Sequence, residues 1–108
     1  MRNTGNIYEE KAVEYLISQA YEIIDRNIYV GHKEIDILCV KDEITIFVEV
    51  KYTKTNHINF FPFLYKKKLY ICDCAPLILK SEKYKLPPYW RIDFLYFCDK
   101  EIFHFTNI

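Results

Sequence analysis

Two carboxylates and an amine stand inside apolar stretches of this chain: Asp36 within residues 34–40, and Glu49 and Lys51 within residues 47–51. Both stretches have the residue types of β-strands, where successive side chains alternate between faces. Glu49 and Lys51 then share one face with Thr45 and Phe47, about 6.6 Å apart along the strand. Ile44, Ile46, Val48 and Val50 take the other face. In the preceding strand Asp36 falls with Leu38 and Val40, opposite Ile35, Ile37 and Cys39. Hard oxygen ligands of this kind suit Mg²⁺ or Mn²⁺. An ion held by Asp36 and Glu49, with the Val50 backbone carbonyl as a further ligand, would polarise a phosphate oxygen and acidify a bound water. Lys51 could then position that water or offset charge developing on phosphorus. Taken singly, each of these residues reads as part of a surface ion pair, Glu49 with Lys51, and its cross-strand neighbour Asp36. Their combination within hydrophobic strands points to a site.

A fourth carboxylate comes from the first helix. Thr4 or Asn3 suits its N-cap, and it is predicted to run to about Gln19. Positions 9, 12, 13, 16 and 20 follow the spacing of one helical face and hold Glu9, Ala12, Val13, Leu16 and Ala20. Glu9 therefore begins an otherwise apolar, inward-facing stripe, whereas Glu10 and Glu14 fall on solvated faces. A carboxylate aligned with a buried stripe is costly unless something nearby binds it.

The elements that must position these residues follow from pattern and punctuation. Residues 21–30 read as a strand, with Asp25, Arg26 and Asn27 marking a bulge, turn or exposed stretch and Gly31 opening the next connection. Strands at 34–40 and 44–51 form a hairpin about the polar turn Lys41, Asp42 and Glu43. After a polar connection from Thr53 to Asn59, Pro62 suits the first turn of a second helix. That helix is expected to run to about Cys74, with Pro76 ending or kinking it. Residues 80–89 are a Pro-containing loop, and residues 90–97 and 102–105 are two further strands. The order α-β-β-β-α-β-β predicts an α/β fold, a central mixed β-sheet flanked by helices, in a single domain over residues 1–108.

Composition narrows the function classes. The 108 residues carry 15 Lys plus Arg against 15 Asp plus Glu, and 51% are hydrophobic with 10 Tyr and 8 Phe. That is enough apolar material for one packed core and too much for a disordered chain. With only 2 Gly, the chain has no Gly-rich phosphate-binding loop. No window has the length and apolarity of a membrane span, no export signal is evident, and a cytoplasmic location without membrane association is expected. Cys39, Cys72, Cys74 and Cys98 read as free thiols, because neither a disulfide framework nor zinc-like spacing with His57 or His104 is present.

Charge is unevenly distributed. Residues 1–50 carry five basic and ten acidic side chains, and residues 51–108 the reverse. Lys51, Lys54, Lys66, Lys67 and Lys68 lie in a stretch with no acid, around His57 and among Tyr52, Phe60, Phe61, Phe63, Tyr65 and Tyr70. Such a stretch can track phosphates and offer stacking surfaces. For the aromatics alone, a solvated helix face over a core stripe is the simpler reading.

The acids and lysine, in this order of elements, resemble the PD-(D/E)XK nuclease superfamily, which has the restriction-endonuclease-like fold. Nearly the whole chain is similar to the YraN-like family of small predicted endonucleases, which itself resembles archaeal Holliday-junction resolvases. The likeness rests on Gly5, Glu9 and Ala12 with Tyr15 and Leu16, and on residues 20–27, where Ala20 replaces a family glycine before Tyr21 and Asn27 closes the pattern. It continues through Lys33, Glu34, Ile35 and Asp36, where Lys33 replaces another glycine, and through Phe47, Val48, Glu49, Val50 and Lys51 unchanged. Arg91, Ile92 and Asp93, then His104 and Asn107, complete it.

The resemblance implies that Asp36, Glu49 and Lys51 are active-site residues and that Glu9 completes the site by orienting Lys51 or a second ion. It implies a phosphate contact from the second helix by Lys66, Lys67 or Lys68, and displaces to Lys54 a basic residue usual after the third strand. The expected function is that of a Mg²⁺- or Mn²⁺-dependent, structure-selective DNA endonuclease acting on branched or single-stranded-containing DNA, with selection by shape. Zero net charge makes a homodimer presenting two basic stretches a further expectation. The rival readings are a non-catalytic nucleic-acid-binding or adaptor domain that retains the fold, and cleavage of RNA by the same four residues.

Overall fold

The computed structural model describes residues 4–54 and 61–108, with side chains from residue 7 and, in the second stretch, from residue 62. Asn3, the Thr4 side chain, His57, the side chains of Phe60 and Phe61, and most of the polar connection lie outside the described residues. The elements are α1 (Thr4–Ser18), β1 (Glu22–Val30), β2 (Lys33–Lys41), β3 (Ile44–Thr53), α2 (Phe61–Lys80), β4 (Trp90–Cys98) and β5 (Glu101–Phe105). The five strands form one sheet in the order β1-β2-β3-β4-β5. All neighbours are antiparallel except β3 and β4, which run parallel and are joined through α2. This is the expected mixed α/β sheet with two helices, consistent with a restriction-endonuclease-like fold.

The sheet buries both faces. On one, Ala12 and Leu16 of α1 pack with Ile37, Cys39, Ile46, Val48, Leu95 and Phe97. On the other, Tyr70, Ile71, Cys74, Ala75 and Ile78 of α2 pack with Leu38, Phe47 and Ile92. The predicted alternation of β3 therefore holds, with Phe47 facing α2 while Ile46 and Val48 face α1. One assignment in β2 does not hold: Ile35 packs in the α2 cluster, apart from Ile37 and Cys39. The cause is local. Asn27, which falls opposite Asp36 in the β1–β2 register, has φ 51°, and alternation changes over at Asp36.

Connections follow from residue type. α1 ends at Ser18 in a Schellman motif, with Tyr21 N–H donating to Leu16 O at 2.9 Å and Ala20 N–H to Ile17 O at 3.0 Å. Ala20 is thereby placed at φ 68° and exposed, so it leaves the expected inward stripe. The β2–β3 hairpin turns on Asp42 and Glu43, both at positive φ, as a type I′ turn requires. α2 differs from expectation, because it continues past Pro76 to Lys80. Pro76 and Cys72 are both solvent-exposed, so the Cys72 carbonyl that loses its donor is open to water, while Ala75 and Ile78 anchor the final turns in the core. All four cysteines are free, and only Cys72 is exposed.

The C-terminal motif residues form one polar network on the α1 side. Asp93, fully buried, accepts from Arg91 Nε at 2.9 Å and Nη2 at 3.2 Å, and from the Asn107 backbone N–H at 3.0 Å. His104 Nε2 lies 2.8 Å from Asp93 Oδ2, the oxygen that Arg91 Nη2 also reaches, and His104 Nδ1 pairs with the Tyr15 hydroxyl at 3.0 Å. Burial alone would raise the Asp93 carboxyl, but the donors from His104, Arg91 and Asn107 together hold it below its ordinary value. Arg91, Asp93, His104 and Asn107 thus tie β4, β5 and α1 together, and no described contact joins them to Glu49 or Asp36. No helix among the described residues is long and apolar enough to cross a membrane.

Candidate active site

The site lies where β2 parts from β3. β2 pairs with β1 along its length from Lys33 to Val40, but with β3 only from Ile37 to Lys41. Beyond Ile37 the ladder to β3 is replaced by a side chain: Asp36 Oδ2 accepts the Val50 backbone N–H at 2.9 Å. β3 meanwhile continues to Thr53 against β4. The gap lets groups from both faces of the sheet and from both helices meet.

Three carboxylates gather on the β1–β2 side. One oxygen each from Glu9, Glu34 and Asp36 lie within 4.8 Å of one another. Glu9 is held from α1 by Asn27, whose Nδ2 donates to both carboxylate oxygens at 3.1 and 3.2 Å. The positive φ of Asn27 is what turns this side chain out of the regular strand. Glu34 was not singled out by strand-face reasoning. It lies two residues before Asp36 on the same strand, and that spacing is the signal that would have found it.

Glu49 lies deeper and is fully buried. Its carboxyl hydrogen-bonds with Asp36 and is faced by Lys67 of α2, whose Nζ stands 3.3 Å from Oε2. Burial, reinforced by the Asp36 charge, pushes the Glu49 carboxyl well above the usual carboxylate range, and Lys67 offsets this only in part. Burial likewise raises Asp36 to about 6, against the Val50 N–H that favours its charged form. Two buried acids whose proton affinities are pushed up side by side are poorly compensated by protein groups alone. Their oxygen donor set fits a hard divalent cation.

The other expected residues are distributed as follows. Lys51 does not pair with Glu49; its Nζ sits 4.9 Å from the centre of the Phe63 ring, which Lys67 also approaches, at 5.8 Å. Val50 contributes its N–H to Asp36. Lys66 and Lys67 line a cleft of about 600 Å³ beside the acids, whose walls include Phe63, Leu69 and Tyr70. Lys54 and Lys68 are exposed, and neither lines this cleft. Of the three adjacent lysines on α2, the geometry selects Lys67 as the one at the acid centre.

Fold and site together define a small α/β protein with a restriction-endonuclease-like sheet and a carboxylate cluster at the split between its second and third strands. The model of Uncharacterised protein family UPF0102 matches residues 8–95, and the chain belongs to that family, the YraN family. It is 38% identical over 86 residues to a UPF0102 protein of Fusobacterium nucleatum, covering 78% of this chain and 72% of the relative. It is 42% identical over 62 residues to a UPF0102 protein of Cytophaga hutchinsonii, covering 56% and 55%. A UPF0102 protein of Petrotoga mobilis is 43% identical over 51 residues, covering 47% and 46%. In the last two the matched stretch spans about half the relative's length.

Proposed function

We propose that this protein is a Mg²⁺- or Mn²⁺-dependent endonuclease that hydrolyses phosphodiester bonds in branched or single-stranded-containing DNA. The observation that carries the reading is Glu49: a fully buried carboxylate against a second buried acid, Asp36, with one lysine, Lys67, facing it. Two adjacent buried acids facing one lysine are costly to a fold, and a divalent cation would offset that cost.

Asp36 and Glu49 would hold a divalent ion, with Glu34 and Glu9 as the adjacent oxygen donors. When bound, that ion would supply Lewis acidity at a phosphate oxygen and a more acidic water. The chain's own residues do the rest. Lys67 balances the Glu49 charge, Lys51 is available to offset charge developing on phosphorus, and Asn27 fixes the Glu9 carboxylate. Lys66 and the exposed Lys54 and Lys68 supply phosphate contacts that carry no sequence information. With net charge zero, binding gains from a homodimer that doubles the basic surface, which light scattering would register as twice the monomer mass. The reading assigns the protein to cytoplasmic nucleic acid.

The test is incubation with Mn²⁺ or Mg²⁺ and labelled single-stranded, duplex, forked and four-way DNA, beside Asp36→Asn and with matched RNA forks as competitors. Cleavage that disappears in the variant supports the reading. Absence of cleavage by the wild type on every substrate, with DNA binding retained, would favour a non-catalytic nucleic-acid-binding domain.

A further inference from the structure

The cleft beside the acid centre has a volume and lining that phosphate contacts alone do not account for. Its volume of about 600 Å³ lies in the range of small-molecule sites, and the cleft is open to solvent on one side. Its apolar walls are Phe63, Leu69 and Tyr70, and three lysines, Lys33, Lys66 and Lys67, line it against two acids, Glu34 and Asp73. The lysines lean on the rings: Lys33 Nζ is 5.0 Å from the centre of Tyr70, and Lys67 Nζ is 5.8 Å from both Tyr70 and Phe63.

Two residues belong to both the cleft and the acid centre. Glu34 is one of the three clustered carboxylates, and Lys67 is the cation on Glu49. An occupant of the cleft is therefore directly continuous with a group held at the acids. Apolar walls, cations and direct continuity with a phosphate-processing centre match one nucleotide: a flat base against Phe63 and Leu69, with its phosphate toward Lys33, Lys66 and Lys67. A base paired within a duplex has its edges engaged and its faces stacked, and it cannot enter a concave cleft without leaving the helix.

We infer that this cleft receives an unpaired nucleotide adjoining the phosphate bound at the acid centre, so that selection for branched or single-stranded DNA is made by this cleft. The inference rests on the nuclease reading only in placing a phosphate at the acids. Leu69 is half exposed, so Leu69→Trp fills the cleft without disturbing the core, and Leu77→Trp, on an exposed position of the same helix away from the cleft, is the control.

The experiment measures affinity by fluorescence anisotropy, with Ca²⁺ in place of a catalytic ion, for a fully paired 20-mer and for the same 20-mer with two unpaired nucleotides at its centre. The wild type and Leu77→Trp are expected to prefer the unpaired form by tenfold or more, and Leu69→Trp to lose that preference to within twofold. Equal preference in Leu69→Trp and wild type, or no preference in the wild type, overturns the inference. If the wild type hydrolyses no diester with Mg²⁺ or Mn²⁺, the nuclease reading fails, while the affinity ratio still judges the cleft.

Discussion

The ammonium of Lys67 stands 3.3 Å from the Glu49 carboxylate, so the cation facing the buried acid is carried by α2 and reaches across to the sheet. Lys67→Met should therefore act on Glu49 itself. Because Lys67 lowers the proton affinity of Glu49, its removal should raise that carboxyl further, read from the pH dependence of the Glu49 side-chain ¹³C resonance. Cleavage should fall by about 10²-fold, the usual cost of losing one charge-stabilising donor. Lys51→Met should lower cleavage without moving the Glu49 titration, since Lys51 rests on Phe63. An unchanged Glu49 titration in Lys67→Met would refute the assignment.

How far these positions were legible depended on whether a signal was periodic or came from distant contacts. The two-residue period of β3 put Glu49 and Lys51 on one face, and the helical period of α1 put Glu9 in line with Ala12 and Leu16. Those patterns are local and survive folding. Pairing Glu49 with Lys67 instead of Lys51 was not legible, because three adjacent lysines on α2 are equivalent until tertiary packing points one at the sheet. Glu34 was masked by its place at the start of β2, and the changeover of Ile35 by an irregularity that Asn27 imposes from the neighbouring strand. Pro76 was read as a helix end from its chemistry, whereas its exposure allows α2 to continue.

Asp36 makes the metal-free protein less stable at neutral pH. Burial raises it from 3.8 to about 6, so between those values the native state holds a proton that the unfolded chain releases. Stability from this group is full below pH 3.8 and is lost as pH rises through about 6. Asp36→Asn keeps an acceptor for the Val50 N–H and removes the titration. Urea unfolding in EDTA should find the variant more stable than wild type at pH 7.5 and the difference small at pH 4. Mn²⁺ should stabilise the wild type more than the variant.

Asp93 should behave in the opposite sense. Its carboxyl is held below the ordinary value, so its contribution is present above the unfolded value of 3.8 and is lost as pH falls through the lower native one. Asp93→Ala leaves Arg91 without its buried partner and His104 without its acceptor, a change expected to cost about 3–5 kcal/mol. Denaturant midpoints measure it. A stable Asp93→Ala with abolished cleavage would instead make this network part of the reaction centre.

Asn27 tests whether Glu9 must be held. Asn27→Gly accepts the same positive φ but removes the amide that donates to both Glu9 oxygens. The expected outcome is an apparent Mn²⁺ affinity for activation weakened about 10–100-fold, the scale seen when a partner orienting a metal-binding group is lost. A titration of cleavage rate against Mn²⁺ decides it, and an unaltered midpoint would mean that Glu9 needs no such support.

Ala20 offers a prediction confined to stability. It occupies the left-handed position that closes the Schellman motif after α1, at φ 68°, where its Cβ crowds the following carbonyl and glycine carries no such penalty. The two hydrogen bonds of the motif involve backbone atoms only, so Ala20→Gly preserves both. Glycine's added freedom in the unfolded chain opposes the gain, at about 0.4–1 kcal/mol against a steric relief of about 1–2 kcal/mol. The balance favours the variant by up to about 1.6 kcal/mol, and each kcal/mol raises Tm by about 4–8 °C for a chain near this size. Ala20 is exposed and on the far end of α1 from Glu9, so cleavage should be unchanged. Calorimetry giving a lower Tm for Ala20→Gly would show that this position is not strained.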